Sequence, residues 1–264
     1  MTPRFATDTA VTPLGEGRWG ATVDPAWRVE RPNGGYVAAL VLRAVTAELD
    51  DPARRPRSMT IHYLRPPDDG PIEVAVTVER SGRRMSFLSA RLLQHGRTLA
   101  TALVAAGTEQ STSFTLDDAP MPEVGAPEDC ERLPDPPFPI PLRENFETRL
   151  AIGSPPFWDP GTSAEAVTGG WIRLRDPVPV DAEYLVQVAD AWVPAAFGVT
   201  SERIGLPTVD LTVHLRHQPV GEDPWLLVRF RTRVAAEGYL EEDGEIWDRS
   251  GRLLAQSRQL AALV

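Results

Sequence analysis

The sequence predicts an α+β protein in which one unit, an antiparallel sheet wrapped around a central apolar helix, occurs twice in tandem. Three observations predict it. The order helix-then-strands appears in both halves, short motifs recur at a nearly constant offset, and a proline-rich stretch separates the two copies.

The first copy opens at Pro32-Asn33-Gly34-Gly35, a glycine-rich turn. Val37, Leu40, Val41, Ala44 and Val45 follow at helical spacing, so residues 32 to 50 predict an apolar helix. Strands are expected at Pro56 to Arg65, Pro71 to Arg80, Met85 to Gln94 and Thr98 to Ala106, parted by Pro66-Pro67-Asp68-Asp69-Gly70, Ser81-Gly82 and His95-Gly96. In the second of these, Ile72, Val74, Val76 and Val78 alternate with Glu73, Ala75, Thr77 and Glu79, the pattern of a strand with one buried face.

The second copy repeats this order. A strand near Gly170-Trp171-Ile172 precedes an apolar helix from Tyr184 to about Phe197. Strands follow near Thr208 to His217, Trp225 to Ala236, Leu240 to Asp248 and Leu253 to Val264. Thr60-Ile61-His62-Tyr63 corresponds to Thr212-Val213-His214-Leu215 at an offset of 152, and Gly96-Arg97 to Gly251-Arg252 at 155. A small loop insertion accounts for the difference.

Between the copies, residues 117 to 160 hold 11 of the 26 prolines. Proline lacks the amide donor that a helix interior or central strand needs, so this stretch reads as a linker. Its aromatic residues Phe138, Phe146, Phe157 and Trp158 predict that it packs across the surface. The expected organisation is an N-terminal unit over 1–110, a linker over 111–164 and a C-terminal unit over 165–264.

Composition narrows the function classes. A chain with 42% hydrophobic and 24% charged residues reads as globular, and no apolar run approaches the roughly 18 residues of a membrane span. The first residues lack the charged stretch and apolar core of a secretory signal, so a soluble, cytoplasmic protein is expected. With one cysteine, Cys130, and four histidines, neither an internal disulfide nor a structural zinc site is expected. A net charge of -10 argues against tracking nucleic-acid phosphates and points to a small-molecule substrate.

A central helix wrapped by an antiparallel sheet, repeated once, implies a double hot-dog, a pseudo-dimer within one chain. The chain resembles the acyl-CoA thioesterase II family in Asn33-Gly34-Gly35-Tyr36, His62-Tyr63-Leu64-Arg65-Pro66 and the Gly82-Arg83 turn before Ser86-Phe87. The resemblance extends to Ala189-Asp190, Pro207-Thr208-Val209-Asp210 and Ser257-Arg258-Gln259. It covers both halves outside the linker. It implies an acyl-CoA substrate, hydrolysis without metal or organic cofactor, a place in fatty acid metabolism, and assembly into a homo-oligomer.

Asp190 is the only charged residue between Tyr184 and Thr200. A carboxylate in a segment apolar nearly all round has either a structural partner or a chemical role, because burying it alone is costly. The resemblance implies the second, since the family carries its catalytic aspartate on this helix, with a threonine early in the next strand and a glutamine in the last. The matching residues are Thr208 and Gln259. Strand alternation puts Gln259 on one face with Ser257 and Ala255, opposite Arg258. Thioester hydrolysis needs a base for the attacking water and donors for the oxyanion. Asp190 fits the base, Thr208 and Gln259 fit the holders of the water, and the amides around Gly34 and Gly35 fit the oxyanion donors.

The offsets place Pro56 opposite Thr208 and Val104 opposite Gln259, so one active site per chain is expected. His62 and His214 occupy equivalent positions, which predicts shared architecture. Arg54-Arg55-Pro56-Arg57, Arg83-Arg84 and Arg229, Arg231 and Arg233 are candidates for coenzyme A phosphates or for solvated charge. Two other readings stay open: a non-catalytic acyl-thioester binding protein, and a hot-dog hydratase or dehydratase, which needs a histidine beside the aspartate.

Overall fold

The computed structural model describes residues 2–136, 138–153, 163–202 and 204–264. The N-terminal half contains α1 (Arg4–Asp8), β1 (Thr12–Gly15), β2 (Arg18–Val23), α2 (Gly34–Leu49), β3 (Arg55–Tyr63), β4 (Gly70–Ser81), β5 (Met85–Gln94) and β6 (Arg97–Gly107). After it come α3 (Pro141–Glu144), β7 (Phe146–Ile152), β8 (Val167–Leu174), α4 (Ala182–Val188), β9 (Thr208–Leu215), β10 (Leu226–Arg231), β11 (Ala235–Ala236), β12 (Tyr239–Asp248) and β13 (Leu253–Ala262).

The strands form one sheet in the order β1-β2-β4-β5-β6-β3-β9-β13-β12-β10-β8-β7, with β11 paired to β12. Each half contributes the same sequence of strands read from its own edge, and the halves join where β3 pairs antiparallel with β9. Thr60 sits opposite Thr212 at that seam, with their hydroxyls 3.0 Å apart. These are the residues related by the offset of 152, so the pseudo-two-fold axis passes between them. The tandem double hot-dog is the observed architecture.

Helices α2 and α4 pack against each other and against the sheet. In α2, residues 35–42, 44 and 45 are all buried, which removes apolar surface at roughly 1.5–3 kcal/mol per large side chain. Trp27 stacks on Tyr36 with ring centroids 5.4 Å apart, and Phe146 meets the edge of Trp27 at 6.1 Å. Phe146 thus pins the β7 edge to the N-terminal half.

Several sequence expectations change. The second helix stops at Val188, where the amides of Asp190 and Ala191 turn to carbonyls three residues back, and Pro194 bars any continuation to Phe197. In a continuing helix the Asp190 carbonyl would accept from residue 194, and proline has no N–H to give. Strand β7 lies inside the stretch read as linker, pairing with β8. The register shifts between Val78 and Arg80, and Val78 stands exposed where simple alternation buries it. The expected Trp225 to Ala236 strand breaks into β10 and β11.

The linker does pack. Ala119, Met121, Val124 and Cys130 cover Trp171, Trp225 and Trp247 on the outer face of the C-terminal sheet. The indole N–H groups of Trp171 and Trp247 donate to the carbonyls of Gly125 (2.8 Å) and Ala119 (3.0 Å). Phe138 is exposed, and Phe157 and Trp158 lie outside the described residues.

Candidate active site

The opening of α2 meets the end of α4 at a single asparagine. Asn33 is the N-cap of α2, and its Oδ1 accepts from the Tyr36 amide at 3.0 Å and from Gln187 Nε2 at 2.9 Å. Its Nδ2 donates to the Asp190 backbone carbonyl (2.7 Å) and to Asp190 Oδ2 (2.9 Å). A primary amide has two donors and two acceptor sites, and this one uses all four. The carbonyl it reaches is one that Pro194, lacking an N–H, could not serve.

Asp190 Oδ2 also accepts from the Gly35 amide at 2.9 Å. The approach is close. A Cβ on Gly35 would stand 2.5 Å from the Gln187 carbonyl oxygen, and one on Gly34 would stand 2.9 Å from Asp190 Oδ2. Gly34 and Gly35 therefore let the two halves come together as well as opening the helix. The helix end favours negative charge there, and its amide donors are turned toward the carboxylate.

Burial nevertheless dominates the Asp190 carboxyl, raising it from 3.8 to about 6, while the hydrogen bonds from Gly35, Gly34 and Asn33 restrain the rise. A carboxylate with affinity for protons near neutrality is suited to general-base work.

Thr208 Oγ1 donates to Gln259 Oε1 at 3.5 Å. Ala255, Ser257 and Gln259 face inward along β13, while Arg258 faces out and pairs with Asp243 at 2.6 Å. Two further residues join the site that sequence reasoning passed over. The Tyr63 hydroxyl donates to the Gly34 carbonyl at 2.7 Å, and burial, with the charges of Asp190 and Asp210, holds it well above its ordinary value, so it stays a donor. Glu242, 5% exposed, accepts from the Ala195 amide at 2.6 Å and from Gln259 Nε2 at 3.3 Å. Burial is the main force pushing its carboxyl up to about 8, and the nearby charge of Asp190 adds to it. Its position was legible: Leu240, Glu242, Gly244 and Ile246 share the inward parity of β12.

The other candidates fall elsewhere. His62 and His214 are exposed on the outer face at the seam. Arg54 is held by Asp51, the Gly82 carbonyl and Ser86. Arg55 pairs with Glu109, Arg229 with Glu245 and Arg233 with Asp243.

A double hot-dog with the Asp190 carboxylate held at a junction of its halves sets the frame for comparison. A family model described as the acyl-CoA thioesterase N-terminal domain matches residues 23–107, and one described as the acyl-CoA thioesterase C-terminal domain matches residues 127–263. The chain belongs to this acyl-CoA thioesterase family. An uncharacterised protein of Mycobacterium tuberculosis is 29% identical over 255 residues, covering 87% of this chain and 84% of the relative. Acyl-CoA thioesterase 2 of Haemophilus influenzae is 26% identical over 254 residues, covering 86% and 85%. The fold superimposes on the crystal structure of a hot-dog protein from Alicyclobacillus acidocaldarius with a TM-score of 0.89 at 26% identity, covering 100% of this chain and 99% of that one.

Proposed function

We propose that the protein hydrolyses acyl-CoA thioesters to a free acid and coenzyme A, with Asp190 as the base. The observation that carries this reading is a carboxyl, raised to about 6 by burial, at the junction where Asn33 and Gly35 fix one of its oxygens. A water donating one hydrogen to Asp190 and held by Thr208 and Gln259 attacks the thioester carbon as Asp190 takes its proton. The carbonyl electrons move onto oxygen. When the tetrahedral intermediate collapses, the C–S bond breaks and the proton passes from Asp190 to the departing sulfur. No covalent acyl-enzyme forms.

Gly34 and Gly35 are assigned to the oxyanion. In the resting state the Gly35 N–H serves Asp190. Proton transfer neutralises that carboxylate at the moment charge develops on the thioester oxygen, so the donors follow the charge. A hydratase would need a histidine beside Asp190, and all four histidines, His62, His95, His214 and His217, are exposed side chains. That favours hydrolysis.

The test is release of free coenzyme A thiol by wild type and Asp190→Asn from short, medium and long acyl-CoAs. Loss of about a hundredfold or more in turnover with folding intact is expected. Full activity in Asp190→Asn would remove the base assignment, and no turnover of any acyl-CoA by wild type would favour a binding protein.

A further inference from the structure

Glu242 is a buried carboxyl that the hydrolytic scheme above does not use. It sits directly across from Gln259 in the β12–β13 ladder, with Oε1 toward Gln259 Nε2 and Oε2 toward the amide of Ala195. Ala195 begins the short 3-10 turn Ala195–Gly198, five residues after Asp190. One side chain therefore touches both parts of the site, the sheet that carries Gln259 and the turn segment that carries Asp190.

We infer that Glu242 is a positioning residue that sets which end of the Gln259 amide faces Thr208 and ties that amide to the segment bearing Asp190. This rests on the hydrolytic reading above. An ionised Glu242 has only acceptors, so Gln259 turns its NH2 toward Glu242 and its carbonyl toward Thr208, as observed. The Thr208 hydrogen is then spent on Gln259. Thr208 presents a lone pair to the water, which donates its two hydrogens to Asp190 and Thr208 and keeps a lone pair for attack. A protonated Glu242 must place its hydrogen on an acceptor. The Ala195 amide is none, so the hydrogen goes to Gln259 Oε1 and the amide flips. Its NH2 then donates to Thr208, and Thr208 turns its own hydrogen onto the attacking lone pair.

The charges bearing on Glu242 are both anionic, Asp190 from the turn and Glu241 beside it in β12, while Ala195 and Gln259 are neutral. Burial is the main force raising the carboxyl, to about 8, and these charges add to it.

The experiment is kcat and KM for acyl-CoA hydrolysis between pH 7 and 9.5 in wild type, Glu242→Gln, Gln259→Ala and the double variant. In Glu242→Gln the substituted amide must use its carbonyl on Ala195 and its NH2 on Gln259, which locks the flipped state in a side chain of the same shape. Wild-type kcat is expected to rise several-fold through pH 8. Glu242→Gln is expected to be about tenfold slower in kcat, flat over this range and little changed in KM. In the Gln259→Ala background the Glu242 substitution should cause no further loss. Wild-type kcat and profile in Glu242→Gln, or an equal extra loss in the Gln259→Ala background, would overturn the inference. Should Glu242→Gln fail to fold, the wild-type rise near pH 8 and its disappearance in Gln259→Ala decide. An inactive Asp190→Asn beside an unaltered Glu242→Gln would sink this inference alone, and an active Asp190→Asn would sink the hydrolytic reading instead.

Discussion

The two helix openings show how one scaffold holds a carboxylate without a cation partner at one junction and arginine-paired carboxylates at the other. Tyr36 and Tyr184 occupy matching positions in α2 and α4, three residues after the N-caps Asn33 and Asp181. At the first opening the cap is neutral, two glycines follow, and the facing residue is Asp190. At the second the cap and first turn are acidic, and the facing residue is Arg43, which pairs with Asp181 at 3.1 Å and Glu183 at 3.6 Å. Asp181 spends its own carboxylate on the Tyr184 amide. A helix N-terminus attracts negative charge in both cases. Where the helix supplies that charge from its own first turn and an arginine neutralises it, no carboxylate is left to act on a substrate.

The contrast can be broken from either side. The largest effect is expected from Gly35→Ala, whose methyl would meet the Gln187 carbonyl oxygen at 2.5 Å. Denaturant unfolding should show a loss of about 2–3 kcal/mol, and turnover should fall at least tenfold as Asp190 is displaced. Next is the pair of cap variants. Asn33→Ala removes all four hydrogen bonds of the Asn33 amide and should cost about 2 kcal/mol with a clear loss of kcat, whereas Asp181→Ala should cost about 1 kcal/mol and leave kcat unchanged. Equal effects of the two on kcat would erase the distinction between the ends.

Arg43→Met leaves Glu183 buried without its cation. Burial already raises the Glu183 carboxyl, with the charge of Asp181 adding to it and Arg43 opposing it. A carboxyl raised in the native state stabilises below its unfolded value and destabilises as pH climbs. The variant should therefore lose about 1–3 kcal/mol at pH 8 and less at pH 5. A pH-independent loss would deny the role of Glu183. Asp190 adds a pH dependence of its own. Its native value of about 6 exceeds the ordinary 3.8, so the unfolded chain gives up its proton first and native stability falls as pH rises through that window. Asp190→Asn should flatten this part of a melting-temperature profile.

Much of this was legible in the sequence because periodicity and repetition report backbone architecture directly. The Met85 to Gln94 strand matches β5 at both ends, and the equivalence of Thr60 and Thr212 locates the pseudo-axis. The inward face of Gln259 followed from alternation. What escaped depends on contacts distant in sequence. Asn33 and Asp190 are 157 residues apart, and no local pattern reveals that an asparagine will take the Asp190 carbonyl. The helix over-run at 184–197 came from reading apolar spacing past a proline, where hydrogen-bond arithmetic should have prevailed. Strand β7 was hidden by the prolines that surround it.

The central claim, that Asp190 is the working base, is tested most directly by kcat/KM for a soluble acyl-CoA between pH 4.5 and 7.5. A base must be ionised, so the account predicts a tenfold rise per pH unit below about 6 that levels off above it, ahead of the separate, shallower rise expected from Glu242 toward pH 8. A profile flat through pH 6, from an enzyme shown to be folded across the range, would contradict it.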